Sequence, residues 1–270
     1  MNEPRDRIVS LQPTSGTFDF KKAPPFALPY LSTYYMQPPT ADETVVSEFL
    51  IEQFRSRPPR GRFIELGCGP TIHHVFPFAP HVSEIHMADY LDENLDQVRL
   101  WRDAAPGAHD WRPYAGMTLR HEGKDPSPEA IDAREALARA KITQVMRCDL
   151  KHDTAPELRG QYDGVGCFYC VEEIGISIEE WHRVLERAVA FLRPGGTLYM
   201  AALANMKTYP VRDSAGTLVE YPCACITEAD VYTSLCALGF PAHSISLRTS
   251  NIEHPDCGVT ATLMVAAVKG

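Results

Sequence analysis

Short apolar runs that end in polar or glycine residues alternate with amphipathic stretches along most of this 270-residue chain. Such runs are typical of buried parallel strands, and apolar residues at helical spacing between them are typical of covering helices. The alternation therefore predicts an α/β domain. The runs that we interpret as strands are Phe63–Leu66, Ile85–Asp89, Ile142–Cys148, Asp163–Cys170, Thr197–Leu203 and Val259–Val268.

Local signals predict where several helices begin. Thr40-Ala41-Asp42-Glu43 has the spacing of a capping box, followed by an apolar stripe that ends before Pro58-Pro59. Ser127-Pro128 predicts a second helix start, with serine as the cap and proline at the first position. We interpret the alternating charges of residues 130–140 as a solvated face. Residues 204–225 contain no clear periodicity and predict an irregular segment.

The turn after the first run carries the clearest candidate chemistry. Gly67 and Gly69 allow the backbone to approach a ligand, and Asp89 follows about twenty residues later, where an acid binds ribose hydroxyls in nucleotide-binding sheets. The third glycine of a dinucleotide motif is missing, and Pro70 offers no amide to a pyrophosphate. Glu65 would also repel phosphate. A ligand with a ribose and a positive charge but no phosphate fits this pattern, and S-adenosylmethionine (SAM) meets the description.

Three segments, Glu65–Ile72, Ala88–Asn94 and Asp110–Pro113, make a family resemblance specific. They resemble the branch of class I methyltransferases that contains nicotinamide, phenylethanolamine and indolethylamine N-methyltransferases and thioether S-methyltransferase. The likeness runs from about Tyr30 to the C-terminus in the same order. It implies a Rossmann-like fold with a seven-stranded, mostly parallel sheet, a reversed terminal hairpin, an N-terminal lid and cap insertions.

Within a single methyltransferase domain, 1–270, this implies four segments. Residues 1–56 form an arm and lid, 57–203 the cofactor-binding core, 204–225 the substrate cap, and 226–270 the C-terminal helix and hairpin.

The motifs and the resemblance together imply a site for SAM, with S-adenosylhomocysteine as product. The tyrosines of the lid segment could instead be an aromatic staple, and Asp149, expected to accept the adenine amine, could instead cap a turn. The residues expected to bind the cofactor are Tyr30, Tyr35, Glu65, Gly67, Gly69, Thr71, His73, Asp89, Tyr90, Asn94, Asp149, Leu150 and Phe168.

Methyl transfer by in-line displacement needs alignment and exclusion of water more than covalent help, which predicts aromatics and one or two carboxylates on the acceptor side. Glu172 is the first candidate, because it follows the fourth strand and the amine branch has glutamate there. Asp256 aligns loosely with a second acid of that branch. Tyr34 of the lid is the third candidate on the acceptor side. A helix-start acid and a turn aspartate are the alternatives for Glu172 and Asp256. Ala201 replaces an aspartate of the nicotinamide branch, which disfavours nicotinamide.

The expected function is SAM-dependent methylation of a nitrogen in a small amine or N-heteroaromatic compound. S-methylation of a small thioether or thiol is the first alternative, and a catalytically inactive SAM-binding regulatory subunit is the second. A nicotinamide-cofactor oxidoreductase is disfavoured by the missing third glycine.

Composition narrows the class of partner. The net charge of −9 and pI near 5.6 argue against nucleic acid, and no apolar stretch is long enough for a membrane span. The first residues lack the apolar core of a signal peptide, so we expect a cytoplasmic enzyme. We interpret the eight cysteines, including Cys167 and Cys170, as small apolar thiols and expect neither disulfides nor a metal. A small-molecule substrate and a monomer or weak homodimer complete the expectation.

Overall fold

The computed structural model describes residues 27–35, 39–212, 218–252 and 258–270, with residues 209–212 and 218–219 described by their backbone alone. The strands are β1 (Arg62–Leu66), β2 (Glu84–Asp89), β3 (Ile142–Arg147), β4 (Tyr162–Phe168), β5 (Leu192–Ala204), β6 (Thr208–Arg212), β7 (Leu218–Pro222), β8 (Ile245–Ser250) and β9 (Ala261–Val268). The helices are α1 (Ala27–Tyr34), α2 (Ala41–Ser56), α3 (Val75–Phe78), α4 (Asp92–Arg102), α5 (Arg112–His121), α6 (Pro128–Lys141), α7 (Val171–Ile174), α8 (Ile178–Ala190) and α9 (Glu228–Ala237).

A seven-stranded sheet in the order β3-β2-β1-β4-β5-β9-β8 organises the domain. Strands β1 to β5 run parallel, β9 runs antiparallel to β5, and β8 runs antiparallel to β9. This confirms the predicted α/β fold and its reversed terminal hairpin. The strand order reverses between β1 and β4, and in such sheets ligands bind beyond the carboxyl ends of the strands at that point.

Both faces of the sheet are covered by apolar layers. Phe63 of β1 points into one layer and stacks on Phe78 at 4.1 Å, while its neighbour Ile64 points into the other. Glycines in β4 make room for the Phe63 ring. A Cβ at Gly166 would lie 2.7 Å from that ring, and one at Gly164 would lie 3.0 Å from it. The rigid centre of the sheet therefore holds the carboxyl ends of β1 and β4 in fixed register.

The structure corrects several local predictions. Thr40 does precede α2, but its side chain makes no capping hydrogen bond. The Glu43 carboxylate, which a capping box would direct to the helix start, contacts two buried histidines instead. The 130–140 segment is not a fully solvated face. Arg134 is 5 % exposed and donates to Glu122 and to the Phe76 carbonyl.

Two further differences concern long insertions. Residues 204–225 are not irregular throughout, because β6 and β7 pair as an antiparallel hairpin. Helix α5 precedes the predicted α6 in the long connection between β2 and β3. In the part of the chain described here, no helix is long and apolar enough to cross a membrane.

Candidate active site

A crevice of about 440 Å³ lies beyond the carboxyl ends of β1 to β4. Its volume is in the range of sites that enclose drug-sized ligands. The residues that line it come from the loops after these strands, from α1 and from the β6–β7 hairpin: Tyr30, Tyr35, Gly67, Cys68, Gly69, Pro70, Thr71, His74, Asp89, Tyr90, Leu91, Asn94, Cys148, Asp149, Leu150, Lys151, His152, Phe168, Tyr169, Cys170, Glu173, Ile174, Ile176, Tyr221 and Pro222.

The glycine loop after β1 forms the floor of this crevice. Gly67 and Gly69 have φ of +65° and +59°, in the left-handed region that only glycine adopts without strain. A Cβ at Gly67 would also lie 1.9 Å from the Cys170 sulfur, so the loop and the end of β4 can approach only with glycine here. This brings backbone atoms of the first loop to the wall of the crevice.

Asp89 fixes the loop to the end of β2. One carboxylate oxygen accepts from the Gly69 amide at 2.9 Å, and the other accepts from the Leu91 amide at 2.9 Å and the Asn94 side chain at 3.1 Å. Burial raises the pKa of Asp89, and the bonds from Leu91, Gly69 and Asn94 oppose that rise. A carboxylate offers about four acceptor positions, so these three bonds leave capacity for a ribose hydroxyl.

Asp149 holds a turn at the same wall. Its carboxylate accepts from the Lys151 and His152 amides at 3.0 and 3.3 Å, and the His152 ring nitrogen lies 2.9 Å from its second oxygen. Burial favours a higher pKa for Asp149, but the hydrogen bond and charge of His152 lower the pKa overall. The turn-capping alternative is therefore realised in a side chain that also lines the crevice, where an adenine amine could approach it.

These features fit SAM. The wall combines a glycine turn, a buried acid suited to a ribose and a second acid suited to an exocyclic amine. Lys151 is the one Lys or Arg among the lining residues named above. Pro70 in the glycine loop has no N–H, so the loop lacks one of the backbone donors that hold a pyrophosphate in dinucleotide sites.

The wall that follows β4 is aromatic and acidic. Tyr169 takes a left-handed backbone with φ of +51°, which turns the chain sharply into α7. Glu173 on α7 lines the crevice, as do Tyr30, Tyr169 and Tyr221. Burial, and then the charge of Glu172, raises the pKa of Glu173 well above its usual range.

Glu172 itself points away from the crevice. It is fully buried, and one carboxylate oxygen accepts from the Leu203 amide at 2.9 Å. The other oxygen has no hydrogen-bond partner among the described residues, and burial raises the pKa to about 7. Successive side chains on a helical turn point about 100° apart, so only one of the two adjacent glutamates can face the ligand.

A model of the NNMT/PNMT/TEMT family matches residues 20–270, nearly the whole chain. The chain belongs to this methyltransferase family. The match confirms the family predicted from the sequence, and with it SAM as the cofactor class.

Individual members of the family are moderately similar to this chain in sequence. Bovine phenylethanolamine N-methyltransferase is 29 % identical over 180 residues, which cover 61 % of this chain and 62 % of that protein. Rabbit (Oryctolagus cuniculus) indolethylamine N-methyltransferase is 26 % identical over 219 residues, or 78 % of this chain and 80 % of that protein. The match to the bovine enzyme thus spans less than two thirds of its length.

Solved structures confirm the fold. Magnesium protoporphyrin IX methyltransferase (ChlM) from Synechocystis PCC 6803 with bound SAM aligns with a TM-score of 0.53 at 15 % identity, covering 90 % of this chain and 91 % of that one. The DhpI–SAH complex aligns with a TM-score of 0.52 at 14 % identity, covering 90 % and 91 %. At these identities the likeness concerns the class I methyltransferase fold alone.

The structure brings most of the predicted cofactor residues of this family member to the crevice, with two exceptions. Glu65 and His73 lie in a separate buried cluster behind the glycine loop. On the acceptor side, Tyr34 is 44 % exposed and packs on Tyr30 with ring centroids 5.0 Å apart, outside the crevice lining. Asp256 lies outside the described residues.

Sequence reasoning missed several lining residues, chiefly His74, His152, Tyr169 and Glu173. Each of the four stands within three positions of a residue that was predicted. The sequence therefore predicted the correct loops. It did not predict which side chains of those loops face the crevice, because their directions depend on turns such as the one at Tyr169.

Proposed function

We propose that this protein transfers the methyl group of SAM to a nitrogen of a small cationic amine that binds against Glu173. The observation that carries the proposal is the distribution of acids around one crevice. Asp89 ends β2 and Asp149 follows β3 on one side of β1, and Glu173 follows β4 on the other side. A nucleoside and an amine could therefore occupy opposite sides of the switch point.

The donor side of the crevice needs only to hold SAM and orient its methyl group. SAM supplies, when bound, a methyl group already activated by a positively charged sulfur. Asp89 would hold the ribose and Asp149 the adenine amine, while the backbone of the glycine loop excludes water from the ligand. Alignment of donor and acceptor, rather than covalent help, then accounts for most of the rate.

Glu173 has two tasks on the acceptor side. Its carboxylate would attract an ammonium group, and the tyrosines that line the same crevice, Tyr30, Tyr169 and Tyr221, would offer that charge cation–π contact. An ammonium nitrogen has no lone pair and must lose a proton before it attacks. Burial raises the pKa of Glu173, which makes its carboxylate a stronger base for that proton.

The names of the relatives support an amine over a thioether. The bovine and rabbit proteins are named as N-methyltransferases of phenylethanolamine and indolethylamine. Both names describe a basic nitrogen attached to an aromatic group through a short chain. An acceptor side that combines tyrosines with Glu173 suits that chemistry.

The test is a screen of arylalkylamines, pyridine-type nitrogens and thioethers with SAM, read as the mass gain of one methyl group. On the best amine, Glu173→Gln should lower kcat/KM at least about tenfold, the scale of one charge-assisted contact, without changing the affinity for S-adenosylhomocysteine. Glu172→Gln is the matched control and should change kcat/KM less than about twofold, because that side chain does not line the crevice.

The pH dependence separates the acceptor classes. The rate with an amine should rise with pH as the ammonium loses its proton, whereas a thioether has no such proton and should give a flat profile. A thioether as the best substrate, or a Glu173→Gln variant with unchanged kcat/KM, would contradict the proposal.

A further inference from the structure

A cluster of two histidines and two glutamates is buried behind the glycine loop. Glu43 comes from α2, Glu65 from β1, and His73 and His74 from the connection between β1 and α3. All four are at most 6 % exposed. Glu43 Oε2 lies 2.8 Å from His73 Nε2 and 3.2 Å from His74 Nε2, and His74 Nδ1 lies 3.1 Å from Glu65 Oε1. We call these four residues the His–Glu cluster.

The hydrogen bonds within this cluster are incomplete. His73 Nε2 is close to Glu43 but is not aligned for a hydrogen bond, and neither ring nitrogen of His73 has a hydrogen-bond partner among the described residues. Glu65 Oε2 also has none. Each unpaired polar atom at this depth destabilises the fold, so hydrogen bonds among these four side chains alone do not account for the geometry.

We propose that Glu43, His73 and His74 bind a zinc ion. One ligand atom from each of the three residues lies within 4.8 Å of the other two. Ligand atoms around a tetrahedral zinc, at about 2.0–2.2 Å from the metal, lie roughly 3.3 Å from one another. The 2.8 and 3.2 Å separations between Glu43 and the two imidazoles are close to that spacing. Two imidazoles and one carboxylate are a common protein ligand set for zinc.

The surroundings leave room for one more small ligand. A cavity of about 10 Å³ touches all three residues and is also lined by Ser47, Leu50, Pro77, Met117 and Thr118. This is close to the space that one water molecule needs. Four-coordinate zinc with three protein ligands needs one further small ligand, whereas an iron centre with the same protein ligands uses several open positions.

Residues around the three ligands orient them as in zinc sites. The Tyr35 hydroxyl donates to Glu43 Oε1 at 3.2 Å, which leaves Oε2 directed at the histidines. Glu65 holds the far ring nitrogen of His74, as carboxylates commonly do for metal-bound histidines. A divalent cation would also balance the two carboxylates that the fold buries together.

The position of the site indicates a structural role. Zinc would join α2 to the connection after the glycine loop. His74 lines the crevice and stacks on Phe168 with ring centroids 4.1 Å apart, and Tyr35 lines the crevice too. The ion would thus fix one wall of the crevice without touching the reacting groups. The cysteine pattern of the sequence predicted no metal, and this site uses no cysteine.

The test begins with the wild-type protein, prepared without a histidine tag. Elemental analysis should find about one zinc per chain. Removal with a strong chelator should lower the Tm, and added zinc should restore it. Cobalt added to the metal-free protein should give the intense visible absorption of tetrahedral coordination. Competition against a chromogenic chelator then gives the zinc affinity. None of these measurements uses methyl transfer, so they stand apart from the proposed function.

Variants locate the ion. Glu43→Gln removes a ligand and should weaken zinc binding more than about 100-fold, whereas Glu65→Gln removes only the partner of His74 and should weaken it about 10- to 100-fold. Glu48→Gln on α2 and His243→Ala are exposed controls that should leave the affinity unchanged. If the folded wild-type chain takes up neither zinc nor cobalt, the proposal is refuted and the cluster is a buried ion-pair network around His74.

Discussion

Two pairs of acids lie at the carboxyl ends of β2, β3 and β4. Asp89, Asp149 and Glu173 line the crevice, whereas Glu172 is buried outside its lining. Asp89 and Asp149, on the donor side, each accept three hydrogen bonds, several of them from backbone amides of their own loops. Burial raises the pKa of Asp89, and its hydrogen bonds oppose that rise. Glu172 accepts one hydrogen bond from Leu203 and has an oxygen without a partner among the described residues, and burial raises its pKa to about 7 and that of Glu173 well above its usual range.

The difference indicates how each side recognises its ligand. Carboxylates already held by several hydrogen-bond donors are fixed in orientation, and they can accept further neutral donors such as hydroxyls and amines at little cost. A buried carboxylate with few donors is unstable as an anion until a positive charge arrives. The donor side is thus organised before binding, and the acceptor side is suited to a cation.

The largest expected effect concerns Glu172 and stability. Its pKa is 4.5 in the unfolded chain and about 7 when folded, so the folded protein binds the extra proton between these values. Stability should therefore fall as the pH rises from about 4.5 to 7, by about 3 kcal/mol from this group. Glu172→Gln keeps the acceptor for Leu203 without a charge and should remove that share of the pH dependence.

Urea unfolding of the parent and the variant, at about pH 5 and about pH 8, measures this. The variant should be the more stable protein at the higher pH, by less than 3 kcal/mol because the new amide nitrogen lacks an acceptor. Glu186→Gln, an exposed substitution on α8, should follow the parent. If the free energy of unfolding changes equally between the two pH values in all three proteins, Glu172 has a partner that stabilises its charge. The contrast drawn between the two pairs of acids would then be wrong.

The same contrast explains what the sequence could predict. The Asp89 site was predictable because most of its parts lie close together in the chain: Gly67, Gly69, the aspartate and Asn94. Spacing rules capture such local arrangements. The strand pattern likewise predicted the parallel sheet, because buried parallel strands need continuous apolar runs.

Features formed by distant segments could not be predicted in this way. Glu43 lies thirty-one residues before His74, and its inward direction cancelled the predicted capping box. Arg134 is buried because Glu122 and the Phe76 carbonyl pair with it, which charge alternation along one helix does not reveal. Glu173 lines the crevice and Glu172 does not, because adjacent side chains on a helix point about 100° apart. The sequence alone does not show which of the two faces the ligand.

Next in size is the loss of Asp89. Asp89→Ala removes the ribose acceptor and the anchor of the Gly69 amide, so S-adenosylhomocysteine should bind about 30- to 100-fold more weakly, or about 2–3 kcal/mol. Calorimetric titration of the folded variant measures the affinity. Asp96→Ala, an exposed aspartate on α4, is the control and should bind normally. If Asp89→Ala binds S-adenosylhomocysteine as tightly as the parent, Asp89 does not hold the ribose, and the role given to the donor side is wrong.

A smaller effect is expected at the N-terminal lid. Tyr30 lines the crevice whereas Tyr34, on the same helix, is 44 % exposed. Tyr30→Ala should weaken the binding of the cofactor, or of the amine, about tenfold. Tyr34→Ala should weaken the same binding about twofold or less. S-Adenosylhomocysteine should also slow hydrogen exchange of residues 27–35 if they close over it. Equal losses in both variants would favour the alternative that the tyrosines only pack the segment on the domain.

The smallest expected effect tests whether Asp149 binds adenine or only caps its turn. Asp149→Asn should weaken S-adenosylhomocysteine binding by about five- to tenfold, since one acceptor oxygen becomes a donor. Its exposed neighbour His152 competes for that oxygen, so His152→Ala should leave binding equal or slightly tighter. An inosine analogue, which lacks the exocyclic amine, sharpens the result. The parent should discriminate against it, and Asp149→Asn should bind both ligands alike. If the parent binds both ligands equally, Asp149 has no role in base recognition, and the donor side then depends on Asp89 for its specific polar contact.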